Sequence, residues 1–231
     1  MNKKTLGLLT VLIVIIVLII ILSSFIVLNS TKVNSSTEGF NSTQEDIGFV
    51  KLLGPFGNDS SNVKIAYIVG VHPQENQTHK VLLNTLPNEK NLRYCYYIYQ
   101  INVTQNIEDY EVGRMNGQQL AQNQVVPDVL NKNYSLVVDV HSNVGNWEEN
   151  QFLFAPSSGG ISQQLGEKIV ENCSFLAYFV PPSSTSPQYV TLPIIDNGTP
   201  ALIYEEFSQN PDYLISEHLD ILIRTVDSLN F

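Results

Sequence analysis

The chain has 231 residues, of which 43% are hydrophobic, and its formal net charge is −10. Its 12 Lys and Arg residues are outnumbered by 22 Asp and Glu residues, and no basic run occurs along it. This balance excludes binding to nucleic-acid phosphates, which requires a positive surface, while the length suffices for one sizeable domain.

The chain begins with an apolar segment that is long enough to cross a membrane. Residues 5–28 form 24 consecutive positions without a charge, and a helix needs roughly 20 apolar residues to span a bilayer. Lys3 and Lys4 precede the segment, so the positive-inside rule predicts a signal anchor with residues 1–4 in the cytoplasm and the C-terminal domain extracellular. A cleaved signal sequence is the alternative, and either reading exports the rest of the chain.

A polar region follows the apolar segment. Residues 29–46 are rich in Ser, Thr and Asn and contain little to bury, which predicts a flexible stalk. The folded domain is therefore expected at residues 47–231. Cys95 and Cys173 are the only cysteines, and they are expected either to pair or to remain buried thiols.

Within the domain, short β-rich runs alternate with helical patterns. The predicted strands cover residues 64–71, 94–103, 135–140, 151–155, 174–180 and 201–207. The predicted helices cover residues 74–87, 114–131, 160–172 and 211–228. Several strands are almost continuously apolar, as expected for strands that are buried on both faces. The pattern predicts an α/β fold with a mixed, mostly parallel sheet of about six to eight strands and helices on both faces.

Histidines and carboxylates stand where three of the predicted strands end. His72 and Glu75 follow the first strand, His141 follows the third, and Glu205 and Glu206 end the last. Active sites of such sheets lie beyond the carboxyl ends of the strands. Two His residues and one carboxylate that leave a position for water make a catalytic zinc site, and a further carboxylate can take a proton from that water.

Three segments in this order resemble the zinc carboxypeptidase superfamily, including its succinylglutamate desuccinylase and aspartoacylase branch. They are GVHPQE at 70–75, VVDVHSN at 137–143 and PALIYEEF at 200–207. The resemblance implies Zn²⁺ as the cofactor. It also implies His72, Glu75 and His141 as metal ligands and Glu205 as the general base.

Glu206 is the alternative base, because neighbouring strand residues point to opposite faces and only one of the two glutamates can face the metal. The other is expected to face solvent or a cationic partner.

The resemblance also suggests residues that bind substrate. The family holds a substrate carboxylate with an Asn-Arg pair, and Arg114 and Asn116 are the nearest equivalent here, in reversed order. Arg114 can instead be a surface residue paired with a nearby carboxylate. Tyr189 lies in a Ser/Pro-rich segment that resembles the family's mobile tyrosine loop, although a structural role is the alternative. Asn143 can donate a hydrogen bond to an oxyanion or shape a turn.

Three further polar residues have competing interpretations. Asp139 shares a strand face with His141, so it either orients that imidazole or satisfies backbone donors. His79 shares a helical face with His72 and Glu75 and is either a ligand in place of His141 or a packing residue. His218 is expected to be a solvated surface residue of the last helix.

Together these features predict a membrane-anchored extracellular metallopeptidase, that is, a zinc-dependent amide hydrolase. The expected substrate is a peptide or an N-acyl amino acid, from which a carboxypeptidase-like reaction releases an amino acid. The alternative is a non-catalytic zinc-binding surface module that captures peptides or mediates adhesion.

Overall fold

The computed structural model describes residues 40, 42–183 and 186–231. The predicted signal anchor at 5–28 lies outside these residues. Within them, every helix is too short or too polar to cross a membrane.

The end of the predicted stalk belongs to the folded domain. Phe40 is buried, and its ring meets Tyr99 edge to face at 5.8 Å between centroids. The side-chain amide of Gln124 donates to the carbonyl of Thr43 and to the carboxylate of Glu45. The prediction of a stalk up to residue 46 was therefore wrong at its C-terminal end, because the buried ring of Phe40 and hydrogen bonds to Gln124 hold this polar stretch in place.

Seven strands form one sheet in the spatial order β1-β3-β2-β4-β7-β5-β6. Their bounds are β1 Gly48–Gly57, β2 Lys64–Val69, β3 Cys95–Val103, β4 Leu136–Asn143, β5 Phe152–Phe154, β6 Ala177–Tyr178 and β7 Ala201–Phe207. β1 runs antiparallel to β3 and β5 antiparallel to β7, while the remaining pairs are parallel. The predicted mixed, mostly parallel sheet is confirmed. β1 was missed because its Gly and Pro residues conceal the strand pattern.

Within the described residues, six α-helices cover the two faces of the sheet. They are α1 Asn76–Thr85, α2 Tyr110–Leu120, α3 Val126–Lys132, α4 Ile161–Asn172, α5 Thr191–Asp196 and α6 Asp212–Ser228. The predicted helix at 114–131 is two helices, α2 and α3, joined by a π-helical turn at Ala121–Val125. The short helix α5 was not predicted, because six residues carry too little periodicity.

A different set of helices packs against the apolar side chains on each face of the sheet. α1, α4 and α6 pack on one face, where α6 contributes Ile215, Leu219 and Leu222 at helical spacing. The C-terminal end of α2, together with α3 and α5, packs on the other face. β4 is buried along its whole length because helices cover it on both sides. Cys95 and Cys173 are both free, buried thiols.

Candidate metal centre

The pairing of β4 with β7 brings His141 and Glu205 to the same place. The two residues are direct partners in the parallel register, so their side chains project from the same face. Asp139 lies two residues before His141 and therefore shares that face. Glu206 projects to the opposite face of β7.

The turn between β2 and α1 supplies His72 and Glu75. Gly70 opens this turn with φ +88°, and a Cβ there would lie 2.2 Å from the carbonyl oxygen of Ile101. Only glycine fits such a close approach of two backbones. Glu75 directly precedes the first residue of α1, so the turn points His72 and Glu75 toward the end of β4.

The two imidazoles and the Glu75 carboxylate converge on one point. His72 Nδ1 lies 2.8 Å from Glu75 Oε1, and His141 Nδ1 lies 3.0 Å from Glu75 Oε2. The two Nδ1 atoms are 3.0 Å apart. Ligand atoms of all three residues lie within 4.8 Å of one another.

This donor set fits a zinc ion. In a tetrahedral site with Zn–N and Zn–O bonds of about 2.0–2.1 Å, ligand atoms lie about 3.3 Å apart, close to the spacing found here. Two histidines and one carboxylate are also the ligand types of catalytic zinc sites, which keep one position for water. His72 and His141 are almost fully buried, and Glu75 is partly buried, so the cluster combines shielding with access from one side.

The Nε2 atom of each imidazole faces a buried polar side chain. His141 Nε2 lies 3.0 Å from Asp139 Oδ2, although the angle departs from that of an aligned hydrogen bond. His72 Nε2 lies 3.2 Å from the side-chain amide nitrogen of Gln118. Such outer partners hold imidazole rings in a fixed orientation. Each ring therefore presents Nδ1 to the cluster and Nε2 to the protein interior.

Burial and charge act against each other in this cluster. Burial alone would raise the pKa of Glu75, but the neighbouring imidazoles of His72 and His141 lower it well below its usual range. Burial also disfavours the charged form of His141, and Asp139 and Glu75 together outweigh this and raise the pKa of His141 well above its usual range. Burial dominates at His72, whose pKa is lowered.

Glu205 is a partly buried carboxylate whose hydrogen-bonding capacity is incompletely used. Its Oε2 has no hydrogen-bond partner among the described residues. Burial, followed by the charge of Glu75, raises the pKa of Glu205 to about 8. A hydrogen bond from Asn143 opposes this rise in part. A carboxylate of this kind has a raised affinity for protons, which is the property that a general base requires.

A cavity of about 530 Å³ opens above the cluster. It is lined by His72, Gln74, Glu75, Tyr110, Glu111, Arg114, Ser142, Asn143, Val144, Asn146, Trp147, Pro181, Ser183, Ser186, Glu205 and Ser208. Arg114 is the one cationic residue among the described lining residues. Its Nη1 donates to Glu75 Oε1 at 2.8 Å, and its guanidinium lies over the ring of Tyr110. Arg114 therefore faces the cluster and does not pair with a surface carboxylate.

Two residues that were predicted to bind substrate lie outside this cavity. The amide of Asn116 donates to the backbone carbonyl of Gln105, where it fastens α2 to the preceding loop. Tyr189 packs against the apolar cluster beneath α3 and α5. The structure thus places neither Asn116 nor Tyr189 in the described lining of the cavity. Asn143 does line the cavity, and its Oδ1 also accepts a hydrogen bond from Gly145 N–H.

His218 and Glu206 form a buried pair behind the site. His218 Nδ1 lies 3.1 Å from Glu206 Oε2, and its ring stacks on Phe175 with centroids 4.1 Å apart. The prediction of a solvated His218 was wrong, because α6 turns this residue toward the sheet. His79 is also structural: its Nε2 donates to the carbonyl of Val140 at 2.9 Å, and burial lowers its pKa to about 4.

Comparisons with known proteins bear on the fold. No protein-family profile matches the chain, and no curated protein sequence does either. Solved structures do match. A metallo-carboxypeptidase from Pseudomonas aeruginosa, in complex with (2-guanidinoethylmercapto)succinic acid, is 12% identical with a TM-score of 0.52. A metallo-carboxypeptidase from Burkholderia cenocepacia is 9% identical with a TM-score of 0.52.

The chain shares the fold of these metallo-carboxypeptidases. The same fold appears in the tripeptide-bound cell shape determinant protein Csd4 from Helicobacter pylori, which is 10% identical with a TM-score of 0.51. The matches to the Pseudomonas, Burkholderia and Helicobacter proteins cover 80%, 85% and 77% of this chain. They cover 64%, 65% and 54% of those proteins, so the chain spans less than two thirds of each.

Proposed function

We propose that the protein is a zinc-dependent amide hydrolase that releases an amino acid from a peptide or an N-acyl amino acid. One observation carries the proposal: Glu205, a partly buried carboxylate whose buried Oε2 has no hydrogen-bond partner among the described residues, shares a cavity with the His72, Glu75 and His141 cluster. A structural carboxylate at this depth would be expected to have its hydrogen bonds satisfied. The zinc carboxypeptidase fold agrees with this function.

His72, Glu75 and His141 would hold the ion through two ring nitrogens and one carboxylate oxygen. When bound, zinc supplies Lewis-acid chemistry: it lowers the pKa of a coordinated water and polarises a carbonyl group. Asp139 would keep the His141 ring in place from behind, since its carboxylate lies 3.0 Å from Nε2.

Glu205 would act as the base and later as the acid. It accepts a proton from the attacking water as the new C–O bond forms, and it passes that proton to the nitrogen as the C–N bond breaks. The geometry supports both roles, because Glu205 lines the same cavity as His72 and Glu75 and pairs in register with His141 across the sheet. The amine then leaves in a neutral form.

Arg114 and Asn143 would orient the substrate. Arg114 offers a planar guanidinium beside Glu75, which suits a carbonyl or carboxylate oxygen of the substrate. Asn143 lies at the end of β4 and lines the same cavity. We also propose that residues 5–28 anchor the protein in the cell membrane with this domain outside, on the basis of the apolar run that follows Lys3 and Lys4.

Glu205→Gln tests the proposal. We expect hydrolysis of N-acetylated tripeptides and N-acetyl amino acids to fall by about 10²–10⁴-fold, while the bound zinc stays at the wild-type amount. Glu171→Gln, on the exposed side of α4, is the matched control and should retain full activity. If the zinc-loaded wild type cleaves none of these substrates, the hydrolase proposal fails and a non-catalytic zinc-binding module takes its place.

A further inference from the structure

We propose that Gln118 is a positioning residue for His72, and that α2 is docked against the metal centre for this purpose. The inference rests on the proposed function only in so far as His72 binds the metal. It concerns a residue that contacts neither substrate nor metal.

The first observation is the contact itself. Gln118 is 2% exposed, and its side-chain amide nitrogen lies 3.2 Å from His72 Nε2. The opposite ring nitrogen, Nδ1, faces Glu75 and His141. A neutral imidazole carries its proton on only one nitrogen, and the group that faces one nitrogen decides which of them is free to bind a metal. Gln118 holds that position at His72.

The second observation is the close docking of α2. Gly117 has no side chain, and a Cβ there would lie 2.0 Å from the carbonyl oxygen of Val71. A Cβ at Gly113 would lie 2.9 Å from the carbonyl oxygen of Asn106 and 3.3 Å from Pro73 Cγ. The two glycines, four residues apart, thus allow the helix to lie directly on the turn that carries His72.

The docked helix presents two polar side chains to the cluster. Arg114 and Gln118 are four residues apart and therefore lie on the same face of α2. Arg114 donates to Glu75, and Gln118 faces His72. One helix thus supports two of the three residues that can bind the ion, while Asp139 on β4 supports the third.

An amide has a property that a carboxylate lacks in this place. Its nitrogen donates to a bare Nε2, and after a half-turn its oxygen accepts from a protonated Nε2. Gln118 can therefore pair with either tautomer of His72. With Nδ1 of His72 as the metal ligand, the oxygen of Gln118 would accept the Nε2 proton and hold the orientation of the ring.

Zinc affinity measures this role without any substrate. We expect Gln118→Leu, which keeps the bulk and removes the hydrogen bond, to weaken zinc binding by about 10–100-fold in competition with a chromophoric chelator. Gln118→Glu restores an acceptor and should bind zinc at least as tightly as wild type. Gln124→Leu is the matched control, because Gln124 is similarly buried but bonds to Thr43 and Glu45. It should leave zinc affinity unchanged.

The possible results separate the hypotheses. Wild-type affinity in Gln118→Leu, or a Gln118→Glu variant as weak as Gln118→Leu, overturns the role of Gln118. A wild type that binds no zinc overturns the proposed function instead. If Gln118→Leu does not fold, ¹⁵N NMR of the zinc-loaded wild type decides the question. A proton on His72 Nε2 with zinc on Nδ1 supports the inference, and the reverse arrangement overturns it.

Discussion

Two adjacent glutamates on β7 show how differently one strand can use the same side chain. Glu206 is fully buried and accepts hydrogen bonds from the Tyr204 hydroxyl, the Asn210 amide and the Phe207 N–H. Glu205, on the other face, keeps an oxygen without a partner among the described residues. A satisfied buried carboxylate stabilises the fold, whereas an unsatisfied one costs stability and is retained where chemistry needs it.

Substitution of Glu206, the glutamate with satisfied hydrogen bonds, should have the larger effect on the free energy of unfolding. Glu206→Ala leaves His218 and Asn210 without their acceptor and should lower the free energy of unfolding by about 3–5 kcal/mol, as expected when one partner of a buried pair is removed. Urea denaturation of the purified protein measures this. The zinc content of the folded fraction should be unchanged. A decrease in the free energy of unfolding of less than about 1 kcal/mol would contradict the proposed difference between Glu206 and Glu205.

Asp227 is a second carboxylate with satisfied hydrogen bonds, and it lies at the far end of the sheet from the metal centre. Asp227 accepts from the backbone N–H groups of Arg93 and Tyr94 and from the Tyr96 hydroxyl. Asp227→Ala should therefore destabilise the fold by about 2–3 kcal/mol. Because Asp227 fastens the end of α6 and not the site, hydrolysis measured well below the melting temperature should remain at the wild-type rate. A variant that lost activity while folded would contradict this assignment.

Substitution of Glu205, the glutamate with an unpartnered oxygen, should change the free energy of unfolding in the opposite direction. Glu205→Gln removes a partly buried ionisable group with almost no change in shape, so its free energy of unfolding should be equal to or higher than that of wild type by up to about 1 kcal/mol. The comparison requires the protein without added zinc, measured by the same urea titration. A destabilisation as large as that of Glu206→Ala would mean that Glu205 is a structural residue.

The smallest effect is expected at Tyr189. Its ring packs on the apolar cluster outside the cavity, so Tyr189→Phe should leave the hydrolysis rate within about twofold of wild type. The same steady-state assay as for Glu205→Gln measures this. A tenfold decrease would restore the substrate-binding role that the sequence suggested for this residue.

Strand patterns allowed much of the fold to be predicted. Near-continuous apolar runs located β2, β4 and β7, and the polar residues that end them placed His72, His141 and Glu205 at one edge of the sheet. β1 escaped prediction, because the segment GFVKLLGPFG contains three glycines and a proline. The alternation of side chains along β7 predicted opposite faces for Glu205 and Glu206. Whether Glu206 is exposed to solvent or buried, however, depends on the docking of α6.

Other site residues could not be found from local patterns. Gln118 contacts a turn 46 residues earlier in the chain, and this contact depends on how α2 lies against the sheet. The spacing of Gly113 and Gly117 was the available signal for a close helix approach. Asn116 was predicted to bind substrate because it lies two residues after Arg114, but this spacing says nothing about which side of the helix faces the cavity, and the structure places Asn116 outside the described lining.

The central claim is that His72, Glu75 and His141 bind one zinc ion. Its most direct test is the zinc content of the purified full-length chain after dialysis against zinc, measured by elemental analysis beside His72→Ala and His141→Ala. We expect about one zinc ion per chain in the wild type and a nearly complete loss in both variants, since each removes one of three protein ligands. Zinc-free wild-type protein, or variants that retain the full amount, would contradict it.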